Sequence, residues 1–206
     1  EMFLHMPTFK KLLKSAFRRD NLRVGNLDGG LLIHGGTFAV WLQNDMIPNK
    51  VKAAVMELTG ELPEEGKLFK AIKDGNQYEM PENPEWDIHR GLKEANRRYV
   101  VTPVVLNDSR YDTFRFLQQA GAGPIRVIKE DFISLIDLTE IDYNHGEDTP
   151  AGPYGREDGY QFFWATDFCI LTVCETRLYR GISRKLQLSL GTVDFENTYE
   201  ELEDKK

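Results

Sequence analysis

Asp28-Gly29-Gly30-Leu31-Leu32-Ile33-His34-Gly35-Gly36-Thr37-Phe38 has a near counterpart in Asp158-Gly159-Tyr160-Gln161-Phe162-Phe163-Trp164-Ala165-Thr166-Asp167-Phe168. In both stretches a turn-forming Asp-Gly leads into an apolar run. A polar or small pair follows, and a second apolar run begins at Phe, which is the pattern of a β-hairpin. Each stretch also has a short helix-like segment upstream. The expected fold class is therefore α+β, built as two units of helix plus antiparallel β-meander, and an internal repeat or chance accounts for the match.

Around the first hairpin, Leu22 to Val24, Leu31 to Ile33 and Phe38 to Leu42 predict three strands of one meander. Pro7-Thr8 starts and caps a preceding helix, in which Phe9, Leu12, Leu13, Ala16 and Phe17 keep the spacing of one buried stripe. Lys10, Lys11, Lys14 and Arg18 gather on the opposite side, the most basic helix face in the chain. A second helix runs from Pro48-Asn49 to about Leu58, with Val51, Ala54, Val55 and Leu58 inward, Gly60 as its stop, and Lys50 and Lys52 as further cations. Leu68 to Ile72 and Gln77 to Met80 flank Asp74-Gly75 as another hairpin.

Trp86 to Arg98 fits either a helix or an irregular surface segment. Tyr99 to Leu106 predicts a strand in which Pro103 calls for an edge or a bulge. Asp108 caps a predicted helix from Ser109 to Gln119, with Tyr111, Phe114 and Leu117 inward. Ala120-Gly121-Ala122-Gly123-Pro124 is the candidate linker, dividing a basic helix/meander unit (1–122) from a β-rich unit with an acidic loop and acidic tail (123–206). In the second unit, Ile125 to Ile128 predicts a strand and Phe132, Ile133, Leu135 and Ile136 a short helix. Thr139 to Gly155 is loop-like, and Tyr160 to Trp164, Phe168 to Cys174, Arg177 to Tyr179 and Leu186 to Leu190 predict strands. Glu196 to Lys206 is acidic, a frayed helix or a tail.

The chain has 206 residues, 41% of them hydrophobic and 29% charged, the composition of an ordinary globular protein. Its 26 Lys+Arg against 33 Asp+Glu give a net charge of −7, which disfavours indiscriminate adhesion to nucleic acid and leaves room for a local basic face. No apolar run approaches the ~20 residues of a membrane span, and the start, Glu1 to Pro7, lacks the basic flank of a signal peptide, so a cytoplasmic address is expected. Cys169 and Cys174 stand five apart on a predicted strand, on opposite faces and roughly 16 Å apart, and are expected to be reduced and structural.

His34-Gly35-Gly36 resembles the His-Gly-Gly oxyanion loop of esterases, but the Gly-x-Ser-x-Gly nucleophile elbow that hydrolysis of that type needs is absent. Asp137, Glu140, Asp142, His145, Glu147 and Asp148 offer oxygen ligands and one imidazole, yet Gly146 falls one place early for a calcium loop. No zinc spacing, phosphate-binding loop or Rossmann fingerprint occurs. Phe162, Phe163, Trp164 and Phe168 suit a base-stacking platform or a core, and a core is the usual fate of such residues. No catalytic residue, cofactor or metal site is expected.

The order of basic helix, meander, lysine-bearing helix, linker and partial second unit resembles the layout of DNA sliding clamps. That family packs its helices inside a ring, where lysines and arginines meet the DNA backbone. The resemblance implies a homo-oligomer around double-stranded DNA, with Lys10, Lys11, Lys14, Arg18, Lys50 and Lys52 lining the channel and Arg110 and Arg115 as further candidates. The second unit departs from that layout: its helix carries Glu130, Asp131 and Asp137 instead of lysines. The expectation is a non-catalytic binding and assembly protein. The alternatives are a metal-dependent enzyme using the acidic loop 137–148, and a protein-interaction or phage-type structural module.

Overall fold

Leu27 pairs directly with Gly30 across Asp28-Gly29, whose φ angles of 54° and 72° are those of a tight hairpin that twists with its strands. The first hairpin is thus built as its sequence predicts. The computed structural model describes residues 3–82, 86–107, 112–139, 149–157, 160–178 and 182–196. The predicted Asp158-Gly159 turn, most of the acidic loop and the tail beyond Glu196 lie outside the described residues.

Helix α1 (Met6–Arg18) leads into the meander β1 (Arg23–Leu27), β2 (Gly30–His34) and β3 (Phe38–Gln43), followed by α2 (Asn49–Thr59) and the hairpin β4 (Leu68–Lys70) and β5 (Gln77–Glu79). Next come α3 (Ile88–Glu94), β6 (Arg97–Asn107), β7 (Thr113–Gln119) and β8 (Ile125–Lys129). Then α4 (Glu130–Ile133) precedes the second meander, β9 (Ala151–Gly155), β10 (Gln161–Ala165) and β11 (Cys169–Cys174), and α5 (Ile182–Leu190) follows. The strands form one antiparallel sheet in the order β5-β4-β1-β2-β3-β11-β10-β9-β6-β7-β8. Its middle is the pairing of the two meanders, from Phe38 with Val173 to Leu42 with Cys169.

Both faces of the sheet are covered, so the central strands are apolar on both sides. On the first face α1, α2 and α4 bury Phe9, Leu13, Val51, Val55 and Phe132 against Val24, Ile33, Val40, Leu171 and Val173. On the second, α3 packs Ile88 among Leu32, Trp41 and Ile170, and α5 sets Leu186 and Leu190 against Phe114, Phe116 and Val127. Cys169 is buried and Cys174 half-buried, and both are free thiols, as their spacing predicts.

Beyond β11 the sheet curls. Four strands separate β11 from β8, about 24 Å in a flat sheet. Yet the Thr176 N–H donates to the Val127 carbonyl at 2.7 Å, and Arg126 meets Glu175 at 3.4 Å. The chain leaving β11 therefore closes on the far edge of the sheet, and the concave side is filled by residues such as Leu117, Ile128 and Phe162. The curl is eased at Pro103, where the β6–β7 register shifts between Val101 and Val105 and the Thr102 hydroxyl donates to the Phe116 carbonyl.

Four expectations are corrected. The predicted helix Ser109 to Gln119 is, over its described part, the strand β7; Phe114 and Phe116 share one face while Leu117 turns to the other, a period of two hidden behind the helical spacing of Tyr111, Phe114 and Leu117. The predicted strand Leu186 to Leu190 is α5, in which Leu186 and Leu190 face the sheet and Leu188 is 66% exposed. The loop-like stretch 139–155 ends in β9, where Pro153 is tolerated because β9 is held by short and shifted pairings. Arg177 and Leu178 are not in a strand, and Tyr179 lies outside the described residues. The ambiguous segment from Trp86 contains α3 and the start of β6, and Ala120 to Pro124 forms the β7–β8 turn, with Gly123 N–H donating to the Gln119 carbonyl.

The closing contact gives a stability test. Thr176→Pro removes the N–H that satisfies Val127, and urea unfolding is expected to show a loss of about 1–3 kcal/mol. Thr176→Val keeps the N–H and is expected to stay within about 0.5 kcal/mol of the parent.

Candidate functional site

The cations singled out in the sequence sit on the first face. Lys10, Lys11, Lys14 and Arg18 all lie on exposed positions of α1. Lys11 pairs with Asp131 of α4 at 3.0 Å, and Lys14 with Glu57 of α2 at 3.1 Å. Such exposed pairs add little stability, but they lower the local positive charge. Lys50 stands close enough to Asp137 to help hold its carboxyl below the usual range, after the hydrogen bonds from Thr139 and the charge of His5. Lys10, Arg18 and Lys52 have no ion pair among the described residues. Arg115 is half-buried and engaged by Glu130 through Nε at 2.7 Å and Nη2 at 2.5 Å and by the Thr102 carbonyl at 3.2 Å, which makes it a tie between β7 and α4. Arg110 lies outside the described residues.

Of the acidic loop, Asp137 is described, and its carboxylate accepts from the Thr139 N–H and hydroxyl. Glu140, Asp142, His145, Glu147 and Asp148 lie outside the described residues.

A second site lies on the opposite face. Pairing aligns Arg23, His34, Ala39, Thr172 and Phe163 in one row across β1, β2, β3, β11 and β10, so their side chains share that face. Over this row, α3 and Trp86 enclose a cleft of about 510 Å³, lined also by Leu32, Ile88, Gly91 and Gln161, with Arg90, Glu94 and Arg156 at its rim. Gly91 rests on Phe163, where a Cβ would stand 2.9 Å from the ring. The helix therefore comes close to the sheet at Phe163, while the short side chains of Ala39 and Thr172 leave space beside it.

His34 is the best-defined polar group here. The Gly36 N–H donates to its Nδ1 at 3.2 Å, which leaves the proton of the neutral ring on Nε2. Its ring meets Trp86 edge-on at 5.0 Å, and the Arg23 guanidinium, paired with Glu79 at 2.7 Å, lies over that indole at 5.3 Å. Burial, and then the nearby Arg23 charge, push the His34 pKa down to about 4. Gly35-Gly36 forms the β2–β3 turn, with Gly35 N–H donating to the Phe38 carbonyl and Gly36 at φ 84°. Among the described residues no three His, Cys, Asp or Glu side chains converge as a metal site requires.

Sequence reasoning missed Thr172, Gln161, Trp86 and Arg156. The one available signal was Thr172 itself, a polar residue inside Cys169-Ile170-Leu171-Thr172-Val173 where every neighbour is apolar. Scanned against family models and curated protein sequences, the chain matches none.

His34 makes stability depend on pH. Its native pKa lies below the unfolded value near 6.5, so the contribution is complete above that value and is lost as pH falls from 6.5 to about 4. Denaturant titrations should show a loss of about 3 kcal/mol over that window from this group, and His34→Gln should flatten it.

Proposed function

We propose that the protein is a non-catalytic binding and assembly protein that holds double-stranded DNA against the outer surface of α1 and α2, as a clamp-like oligomer. The observation that carries this reading is the placement of Lys10, Arg18 and Lys52, without ion pairs among the described residues, on helices that lie side by side on one face of the sheet. Mobile lysines and arginines in such an array meet phosphates without reading bases, and the binding they give weakens steeply with salt. The two meanders support the partial repeat: β2 and β3 stand about as far apart along the chain as β10 and β11, and each meander follows a helix on the same face.

A specific observation favours assembly through the sheet. Strand β5 is an edge that among the described residues pairs only with β4, and Tyr78 and nearby Met80 are 57% and 76% exposed. A neighbouring strand adds at such an edge. The same feature serves the alternative reading, a protein-interaction module.

Fluorescence anisotropy with a labelled duplex over a range of salt is the test. The parent is expected to bind with a steep salt slope, and the triple substitution Lys10→Glu, Arg18→Glu, Lys52→Glu to lower that slope by about 3. Equal binding by parent and triple variant, or a monomeric mass by light scattering at high concentration, rejects the clamp-like reading.

A further inference from the structure

We propose that the cleft beneath α3 binds a nucleobase, free or as a nucleoside. Three side chains that line it carry hydrogen-bonding groups with no protein partner among the described residues: His34 Nε2, the Gln161 amide and the Thr172 hydroxyl. Thr172 is 5% exposed, and its hydroxyl is withdrawn from solvent as well as unpartnered. A buried polar group left unpaired costs about 1–3 kcal/mol. Thr172 is such a group, and the half-buried His34 and Gln161 turn further unpaired groups to the same hollow, which marks it as a place where a ligand supplies the missing bonds.

The walls set the ligand's shape. His34 and Thr172 stand two strands apart in one cross-strand row, about 10 Å between backbones, with only the methyl of Ala39 between them. Trp86 and Phe163 close the space with flat apolar surfaces. These surfaces suit a planar ring, whose rim can meet a donor at His34 and a donor or acceptor at Gln161 and Thr172.

Charge decides against ionic ligands. At the rim Glu94 accepts from Arg90 at 2.9 Å and pairs with Arg156 at 2.9 Å, while Asp87 accepts from the Arg90 N–H. With the Arg23–Glu79 pair beside Trp86, three guanidiniums and three carboxylates balance, and the His34 ring stays neutral at neutral pH. A carboxylate or ammonium ligand would enter without a counter-charge, at a high desolvation cost. A nucleobase is planar, neutral and bordered by both donors and acceptors. The site lies on the opposite face from α1 and α2, so it stands or falls independently of the DNA reading.

Saturation-transfer NMR and calorimetry on the full chain with adenine, cytosine and uracil test the proposal. At least one base is expected to bind at millimolar concentration or below. Thr172→Val, which keeps the shape and removes the hydroxyl, should weaken it about tenfold. Ala39→Leu, which fills the floor, should abolish binding while the circular dichroism of the fold is kept; if that variant does not fold, Thr172→Val carries the test. Binding of none of the three bases overturns the proposal. So does base binding indifferent to both substitutions, or benzoate competing as well as the base.

Discussion

The pairing of β3 with β11 is the constraint on which the rest of the structure depends. It joins the two meanders into one sheet through five residue pairs, Phe38 with Val173 through Leu42 with Cys169. Because helices cover both faces, the side chains of these strands are buried whichever way they point. Phe38, Val40 and Leu42 enter the first core together with Leu171 and Val173, while Ala39, Trp41 and Ile170 enter the second. A one-residue slip would exchange the two sets and set Trp41 against α1. The register is therefore fixed by size as much as by hydrophobicity. In this row Ala39 and Thr172 are the small and the polar exceptions, and the cleft opens over them.

The second constraint is closure. An antiparallel sheet of this width leaves two edges to protect. At the β8 end the chain protects its own edge by curling until Thr176 reaches Val127, and α5 and Phe195 cover the convex side through Phe114, Phe116 and Ile125. Gln118 is buried there and satisfied twice, donating to the Val193 carbonyl and accepting from the Phe195 N–H. Among the described residues the β5 end has no such cover and carries exposed Tyr78 and Met80 instead. The two edges are thus unlike among the described residues, one closed by the chain and one left uncovered.

Where local chemistry determined the structure, the sequence was legible. Asp28-Gly29 sets a two-residue turn by its own backbone preference, Gly60 ends α2 at φ 76°, and the stripe Phe9, Leu13, Ala16 has a spacing that only a helix can bury. Where the environment determined it, the sequence misled. Leu186, Leu188 and Leu190 alternate like a strand, but with Phe114 and Phe116 on one side and water on the other the chain forms a helix that half-buries two of the three. Phe114, Arg115, Phe116 and Leu117 offer both periods, and only the need of β6 and β8 for a middle strand selects one. The basic face was legible because charge is local to a helix. The cleft was not, since register brings Thr172 of β11 beside His34 and Ala39 of a hairpin more than a hundred residues earlier.

Strand alternation also separates the two candidate sites. Ile33 and His34 are neighbours in the chain, yet Ile33 packs in the core under α1 and α2 while His34 faces the cleft. The same division holds on β11, where Leu171 and Val173 support the helical face and Thr172 does not. Each site therefore rests on alternate residues of the same strands, and a polar substitution that suits one face does not enter the packing of the other. The cost of the arrangement falls on the shared backbone: β2, β3 and β11 cannot shift to accommodate a ligand on one face without disturbing the core on the other. Such a floor is rigid, and adaptation on the cleft side is left to α3, a short helix whose close contact with the sheet at Gly91 carries no side chain of its own.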